Sequence, residues 1–178
     1  MEYSEVIRKR RTVRKYDASK KVTKDQAEQV IAAASEAPSW KNSQTGRYYC
    51  VISDEMCRRV REECLPEFNR ERSENAVLIV TAFVHDRAGF DREGNPDNEV
   101  GNGWGFYDLG LQTENLVLKA ADMGLATLIM GIRDGEKLRD LLEIPETETV
   151  VSVIALGYPA ESPERPKRKA VSDITKFF

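Results

Sequence analysis

The chain of 178 residues contains a single histidine, His85, and that scarcity excludes most catalytic sets. A Ser-His-Asp or Cys-His arrangement has one candidate base here, and no motif surrounds it. Cysteine is sparse too. Cys50, Cys57 and Cys64 are odd in number and lack CxxC spacing, so neither a disulfide framework nor a zinc site is indicated, and a reducing, cytoplasmic setting is expected. The acidic residues Asp86, Asp91, Glu93, Asp97 and Glu99 do not follow an EF-hand pattern. No run of about 18 apolar residues and no apolar leader is present, so the expectation is a protein with no membrane span and no signal peptide. A basic excess is also missing. The net charge of −3 argues against a general nucleic-acid binder. Hydrophobic content of 40% and charged content of 32% suit one globular domain over residues 1–178.

Against that acidic background one basic run stands out: Arg8, Lys9, Arg10, Arg11, Thr12, Val13, Arg14, Lys15 and Tyr16. Counted as charge alone, it reads as a solvated face. Its periodicity says more. Ser4 to Lys9 reads as a short helix, whereas Thr12 to Tyr16 holds β-formers in an extended run. Side chains then alternate, with Thr12 and Arg14 on one side and Val13 on the other, and Arg10 sits at the turn. Two guanidinium forks and a hydroxyl can thereby converge on a phosphate, leaving Arg8 and Lys9 to solvent.

Downstream, Thr23-x-x-Gln26 has capping-box spacing, and Ala27, Val30, Ile31, Ala34 and Ala37 recur at helical intervals until Pro38. Ser39 to Gly46 is a polar loop, followed by a strand over 47–52 and a helix over 55–64 in which Cys57 and Cys64 are core or semi-exposed thiols. Ala76 to Val84 is a continuous apolar run, the pattern of a central strand buried on both faces. Residues 85–103 form a long polar loop of the kind that is functional or disordered. Gly101-x-Gly103-x-Gly105 follows that loop, where a dinucleotide fingerprint would follow a strand, and its third spacing is wrong. A long helix ending at Gly124 is apolar around much of its circumference, so burial on a second side, by another subunit, is expected. Leu125 to Ile132 reads as a buried strand or extended segment, Asp134 as the cap of a short helix, and Thr149 to Gly157 as the last strand. The tail from 160 to 178 carries Arg165, Lys167, Arg168 and Lys169 and ends in Phe177-Phe178, which is expected to dock on the same or a neighbouring subunit. Two basic clusters and few acid–base groups suit a protein whose chemistry resides in a bound, phosphorylated cofactor.

An ordered set of motifs then meets a known family. Arg10-Arg11-Thr12-Val13-Arg14, Ala37-Pro38-Ser39 with Asn42-Ser43-Gln44, Phe68-Asn69, Asp108 with Gln112, Gly124-Leu125-Ala126-Thr127, Gly157-Tyr158-Pro159 and Lys167-Arg168-Lys169 resemble, over nearly the whole chain, the FMN-dependent nitroreductase family. The resemblance implies an α+β three-layer sandwich, with a mixed, mainly antiparallel sheet flanked by helices, assembled as an intertwined homodimer with shared active sites. It implies that Arg10, Arg11, Thr12 and Arg14 hold the FMN phosphate, ribityl chain and pyrimidine edge, joined by Lys167 and Arg168. Pro38, Ser39 and Asn42 would touch FMN from the partner. Asn69 would contact the isoalloxazine edge with Arg72 near it, and the backbone of Met130 and Gly131 would approach flavin N5. No metal and no protein nucleophile are implied. NADH or NADPH would supply hydride for a nitroaromatic, quinone or other electron-poor acceptor. A reductive dehalogenase, a flavin-fragmenting enzyme and a non-enzymatic flavin- or nucleic-acid-binding module are the alternatives. The chain departs from the family's Gln-Pro-Trp at Gln44-Thr45-Gly46, and Trp40 and Trp104 are read as core or lid.

Overall fold

The computed structural model describes residues 2–178. Four strands form one antiparallel sheet in the order β1-β2-β4-β3: β1 (Gly46–Val51), β2 (Val77–Val84), β3 (Ala126–Met130) and β4 (Glu148–Gly157). Six helices accompany them: α1 (Tyr3–Lys9), α2 (Lys24–Ser35), α3 (Asp54–Cys64), α4 (Glu67–Arg72), α5 (Gly103–Asp122) and α6 (Gly135–Leu142).

The sheet is a middle layer because its two central strands are apolar on both faces. Along β2, Leu78 and Val80 join Val153 and Ala155 of β4 against Val60, Cys64 and Leu138 of α3 and α6. The intervening Ile79, with Ile154 and Leu156, packs against Val30 and Ala34 of α2 and Leu116 and Ala120 of α5. Alternation of faces at a period of two is what converts a continuous apolar run into a three-layer sandwich. At Thr81 the β2–β4 register slips by one residue, and the buried Thr81 and Ser152 hydroxyls pair at 2.8 Å beside the slip.

The capping box at Thr23 is formed in both directions, Gln26 N–H to Thr23 Oγ1 at 3.2 Å and Thr23 N–H to Gln26 Oε1 at 3.0 Å, and it starts α2 where the spacing predicts. One expectation is corrected in part. Leu125 to Met130 is buried except at Ile129, as expected, but it forms the sheet's edge: Ile129 and Ile132 are 49% and 65% exposed, since no strand lies beyond β3 and only Thr12 and Val13 bridge to it at Thr127. The helix α4 escapes periodicity because its buried residue is polar, Asn69. Residues 85–103 are a series of ordered turns, tied by Asp91 to Asn95, by Asp86 to Asn102 and by Asn98 to the Trp104 ring N–H. Among the described residues no helix is long and apolar enough to cross a membrane.

Candidate functional site

Edge strand β3 organises the candidate site. After α1, the chain runs extended beside β3, with Thr12 bridged in parallel to Thr127 and the Val13 N–H donating to the Thr127 carbonyl at 3.1 Å. Val13 is buried in the core, which leaves Thr12 and Arg14 on the outer side, as alternation requires. Tyr16 closes the segment. Its ring fills the space over Gly157, where a Cβ would come within 2.6 Å of Cδ1, and its hydroxyl donates to the Val13 carbonyl at 2.9 Å. Burial raises this phenol further above its ordinary range, so it stays a neutral donor.

Two clefts flank the segment. Arg10 and Arg11 line one of about 220 Å³, walled by Val117, Ala121 and Thr127. Arg14 lines another of about 840 Å³ with Arg72. Tail residues Glu161, Ser162 and Pro163 border both, and Glu161 accepts a hydrogen bond from the Arg14 backbone N–H at 2.7 Å. Within the chain the expected convergence of Arg10, Thr12 and Arg14 is not seen: Arg10 and Arg14 line different clefts, Thr12 lines neither, and the start of the tail borders both. The guanidiniums of Arg10 and Arg14 have no hydrogen-bond or ion-pair partner among the described residues. Arg11 is turned back on its own backbone, with Nη1 donating to the carbonyls of Arg8 at 2.6 Å and Arg10 at 2.8 Å, and its buried Nε has no partner.

At the far end of β3, Met130 is buried, while a Cβ on Gly131 would meet nothing within 4 Å. Asn69, 5% exposed, donates from Nδ2 to the Ile132 carbonyl at 2.9 Å and so fixes the turn that follows Gly131. Arg72, on the same helix α4, stands 5.5 Å above the Phe68 ring. Unengaged guanidiniums, a half-buried orphan N–H donor and an approachable backbone at one edge strand form a donor set that fits a phosphorylated, anionic ring cofactor.

The structure does not bring every expected residue to this edge. Pro38, Ser39 and Asn42 lie at the other end of α5, where the Trp40 N–H donates to Asp108 at 2.8 Å and Ser39 Oγ accepts from the Gln44 N–H at 3.1 Å. Asp108 and Ala121, which borders the Arg10 cleft, are thirteen helical residues apart, about 20 Å at the α-helical rise. Lys167 and Arg168 sit in the exposed tail, where Arg168 reaches only the Pro166 carbonyl, at 3.1 Å. The departure at Gly46 has a local reason. Gln112 Oε1 occupies the place of a Cβ at 1.9 Å while accepting from the Tyr48 hydroxyl at 2.8 Å. Trp40 and Trp104, both half-buried, pack against each other with ring centroids 4.4 Å apart and planes tilted by 42°.

Periodicity gave no sign of Glu161, which only tertiary folding returns to Arg14. Nor did it reveal a cleft of about 860 Å³ between α6 and β4. That cleft is a buttress. Arg70, Arg133 and Arg139 donate to the carbonyls of Leu65, Val150 and Glu148 at 2.8, 2.6 and 2.8 Å, so part of each guanidinium braces the backbone, while the buried Nε of Arg133 has no partner among the described residues.

Fold and site together define a three-layer α+β protein that presents an arginine-lined cleft at the edge of an antiparallel sheet. The chain belongs to the nitroreductase family, whose family model matches residues 7–158. It is 27% identical over 160 residues to an Archaeoglobus fulgidus protein carried under the name NADH dehydrogenase/NAD(P)H nitroreductase, covering 88% of this chain and 84% of that one. A nitroreductase family protein from Clostridium novyi NT superposes with a TM-score of 0.75 at 26% identity, over 93% of this chain and 89% of the other. The NADPH:FMN oxidoreductase from Vibrio harveyi, solved with NAD+, shares the fold with a TM-score of 0.78 at 23% identity, over 98% and 76%.

Proposed function

We propose that this chain is an FMN-dependent oxidoreductase that takes hydride from NADH or NADPH and delivers it to an electron-poor small molecule such as a nitroaromatic or a quinone. The observation that carries this reading is the pair of unengaged guanidiniums, Arg10 and Arg14, flanking an edge strand whose Gly131 end is open. Family membership and the names of the relatives support the same cofactor and donor. Bound FMN supplies the two-electron chemistry. The chain's part would be to bind and tune: Arg10 and Thr12, with the unpartnered Nε of Arg11, would hold the phosphate, and Arg14 and Arg72 would place positive charge near the ring. Gly131 admits close backbone approach, and Asn69 orients that turn through the Ile132 carbonyl. Met130, buried beneath, anchors the strand end in the core.

The loop of Pro38, Ser39 and Asn42 cannot close on the same ligand within one chain, because α5 separates it from Arg10. We therefore infer a homodimer in which each loop faces the partner's cleft. The exposed Phe106 and Tyr107 of α5 would be covered there, and residues 160–178 of a single domain spanning 1–178 would extend over the partner, bringing Lys167 and Arg168 to the phosphate. The visible spectrum of the purified protein tests the reading. A flavin band that bleaches with NADH or NADPH and returns on adding a nitroaromatic or quinone is expected. Colourless protein that takes up no added FMN would refute it.

A further inference from the structure

Within one chain, at the end of α5 opposite the arginine clefts and on the loop that the inferred dimer would turn toward the partner's cleft, a cavity of about 390 Å³ opens between the Trp40–Ser43 turn and the 86–92 segment. It is lined by two aromatic rings, Trp40 and Phe90, and by three cations, Lys41, Arg87 and Arg92. Ser43 lines it as well, and its Oγ is buried without a hydrogen-bond partner among the described residues. The charges are not equally available. Lys41 Nζ pairs with Asp97 at 2.7 Å. The two lining acids are engaged by their own loop: Asp86 accepts from Asn102 Nδ2 at 2.7 Å, and Asp91 accepts from the Glu93 and Asn95 N–H groups at 3.0 and 2.8 Å. Arg87 and Arg92 are exposed and have no hydrogen-bond or ion-pair partner among the described residues. The Trp40 ring is held by Trp104 and by its Nε1 donation to Asp97 at 3.2 Å. Two lining rings, of which Trp40 is already in contact with Trp104 and Lys41, two guanidiniums to spare and an unsatisfied hydroxyl, in a space the size of a small-ligand pocket, make up the surroundings for a flat ring bearing an anionic group.

We propose that this cavity binds an aromatic anion, with the ring against Trp40 and Phe90 and the carboxylate or phosphate on Arg87, Arg92 and the Ser43 hydroxyl. Binding there needs no flavin. Only the ligand's place in turnover rests on the oxidoreductase reading, where it is either an acidic aromatic acceptor or the adenine and 2′-phosphate end of NADPH.

Trp40 and Trp104 are the chain's two tryptophans, so intrinsic fluorescence reports on this end of the molecule. Benzoate, benzamide and adenosine 2′,5′-bisphosphate are titrated into the purified protein, as isolated and after flavin removal. The expected result is a saturable change with benzoate at a Kd at least about tenfold below that for benzamide, the scale of one charge-assisted hydrogen bond. The Arg87→Ala/Arg92→Ala variant should lose that preference at an unchanged melting temperature, since neither side chain supports the fold. Tighter binding of the bisphosphate than of benzoate assigns the site to the nucleotide donor, and the reverse order assigns it to an acceptor. No saturable benzoate signal, equal binding of benzoate and benzamide, or a double variant that keeps the preference would overturn the proposal. A protein that holds no flavin still gives a readable titration, so failure of one reading is distinct from failure of the other.

Discussion

Arg14 and Asp108 show how differently two charged residues enter one protein. Arg14 is held by its backbone, through Glu161, while its guanidinium projects unengaged into the larger cleft. Arg14→Ala should therefore leave the flavin-free fold intact and weaken FMN binding by roughly 1.5 to 3 kcal/mol, the worth of a hydrogen bond to a charged group. Flavin fluorescence titration reads this directly, and unchanged affinity would remove Arg14 from the site. Asp108 is the opposite case, 3% exposed, with the Trp40 N–H as its donor. Burial raises its carboxyl above the ordinary value, against the smaller lowering effect of that N–H. A carboxyl raised in the fold binds its proton more tightly than in the unfolded chain. The stability it contributes is full below the unfolded-chain pKa and is lost as pH rises through the folded one. Asp108→Asn keeps an acceptor oxygen for Trp40 and removes that loss. Urea unfolding should find the variant at least as stable as the parent at pH 7, with its advantage shrinking as pH falls toward the ordinary carboxylate value. A less stable variant at pH 7 would mean that the charge itself holds the Trp40 turn.

Among the elements, α5 carries the most conflicting demands. Its inner face is apolar and packed, and its first turn passes so close to β2 that a Cβ on Gly105 would lie 2.3 Å from Cε2 of Phe83, a ring that is 1% exposed and braced edge-on by Phe106. Gly105→Ala should cost about 1 to 3 kcal/mol, the range for overpacking a filled core. At about 2 to 4 °C per kcal/mol for a chain of this size, calorimetry should show a fall of several degrees in Tm. An unchanged Tm would mean that the helix start can lift away from the sheet. Elements with an apolar stripe were legible without coordinates: α2 from its capping box and small-residue face, β2 and β4 from their runs, α6 from its Asp134 cap. The helix α4 was not, because Asn69 is buried for a hydrogen bond rather than for apolar area. The exposed side of β3 was hidden for a related reason, since a run of apolar residues does not say which strand ends at the sheet's edge.

At the scale of the whole molecule, the exposed apolar residues follow a pattern. Phe106 and Tyr107 on α5 and Phe177 at the tail end, 89% exposed, leave apolar surface that a second copy would cover. Deleting residues 164–178 should shift sedimentation from dimer toward monomer and weaken FMN binding at least tenfold, because Lys167 and Arg168 leave with the segment. A truncated chain that remains dimeric and binds FMN as before would place both the dimer contact and the phosphate site elsewhere.

What the sequence determined by itself was the set of local commitments: the helix-to-extended switch at Arg10, the capping box at Thr23, the two-faced apolar runs of β2 and β4, and the ordered motifs that mark the family. These depend on residues a few positions apart, where propensity, periodicity and turn chemistry act. Only the tertiary structure decided which distant residues meet. It set Glu161 against Arg14 and Asn69 against Ile132, placed the Arg10 cleft and the Asn42 loop at opposite ends of α5, and gathered Trp40, Phe90, Arg87 and Arg92 around one cavity. Such meetings follow from sheet order and helix length, which no short window of sequence encodes.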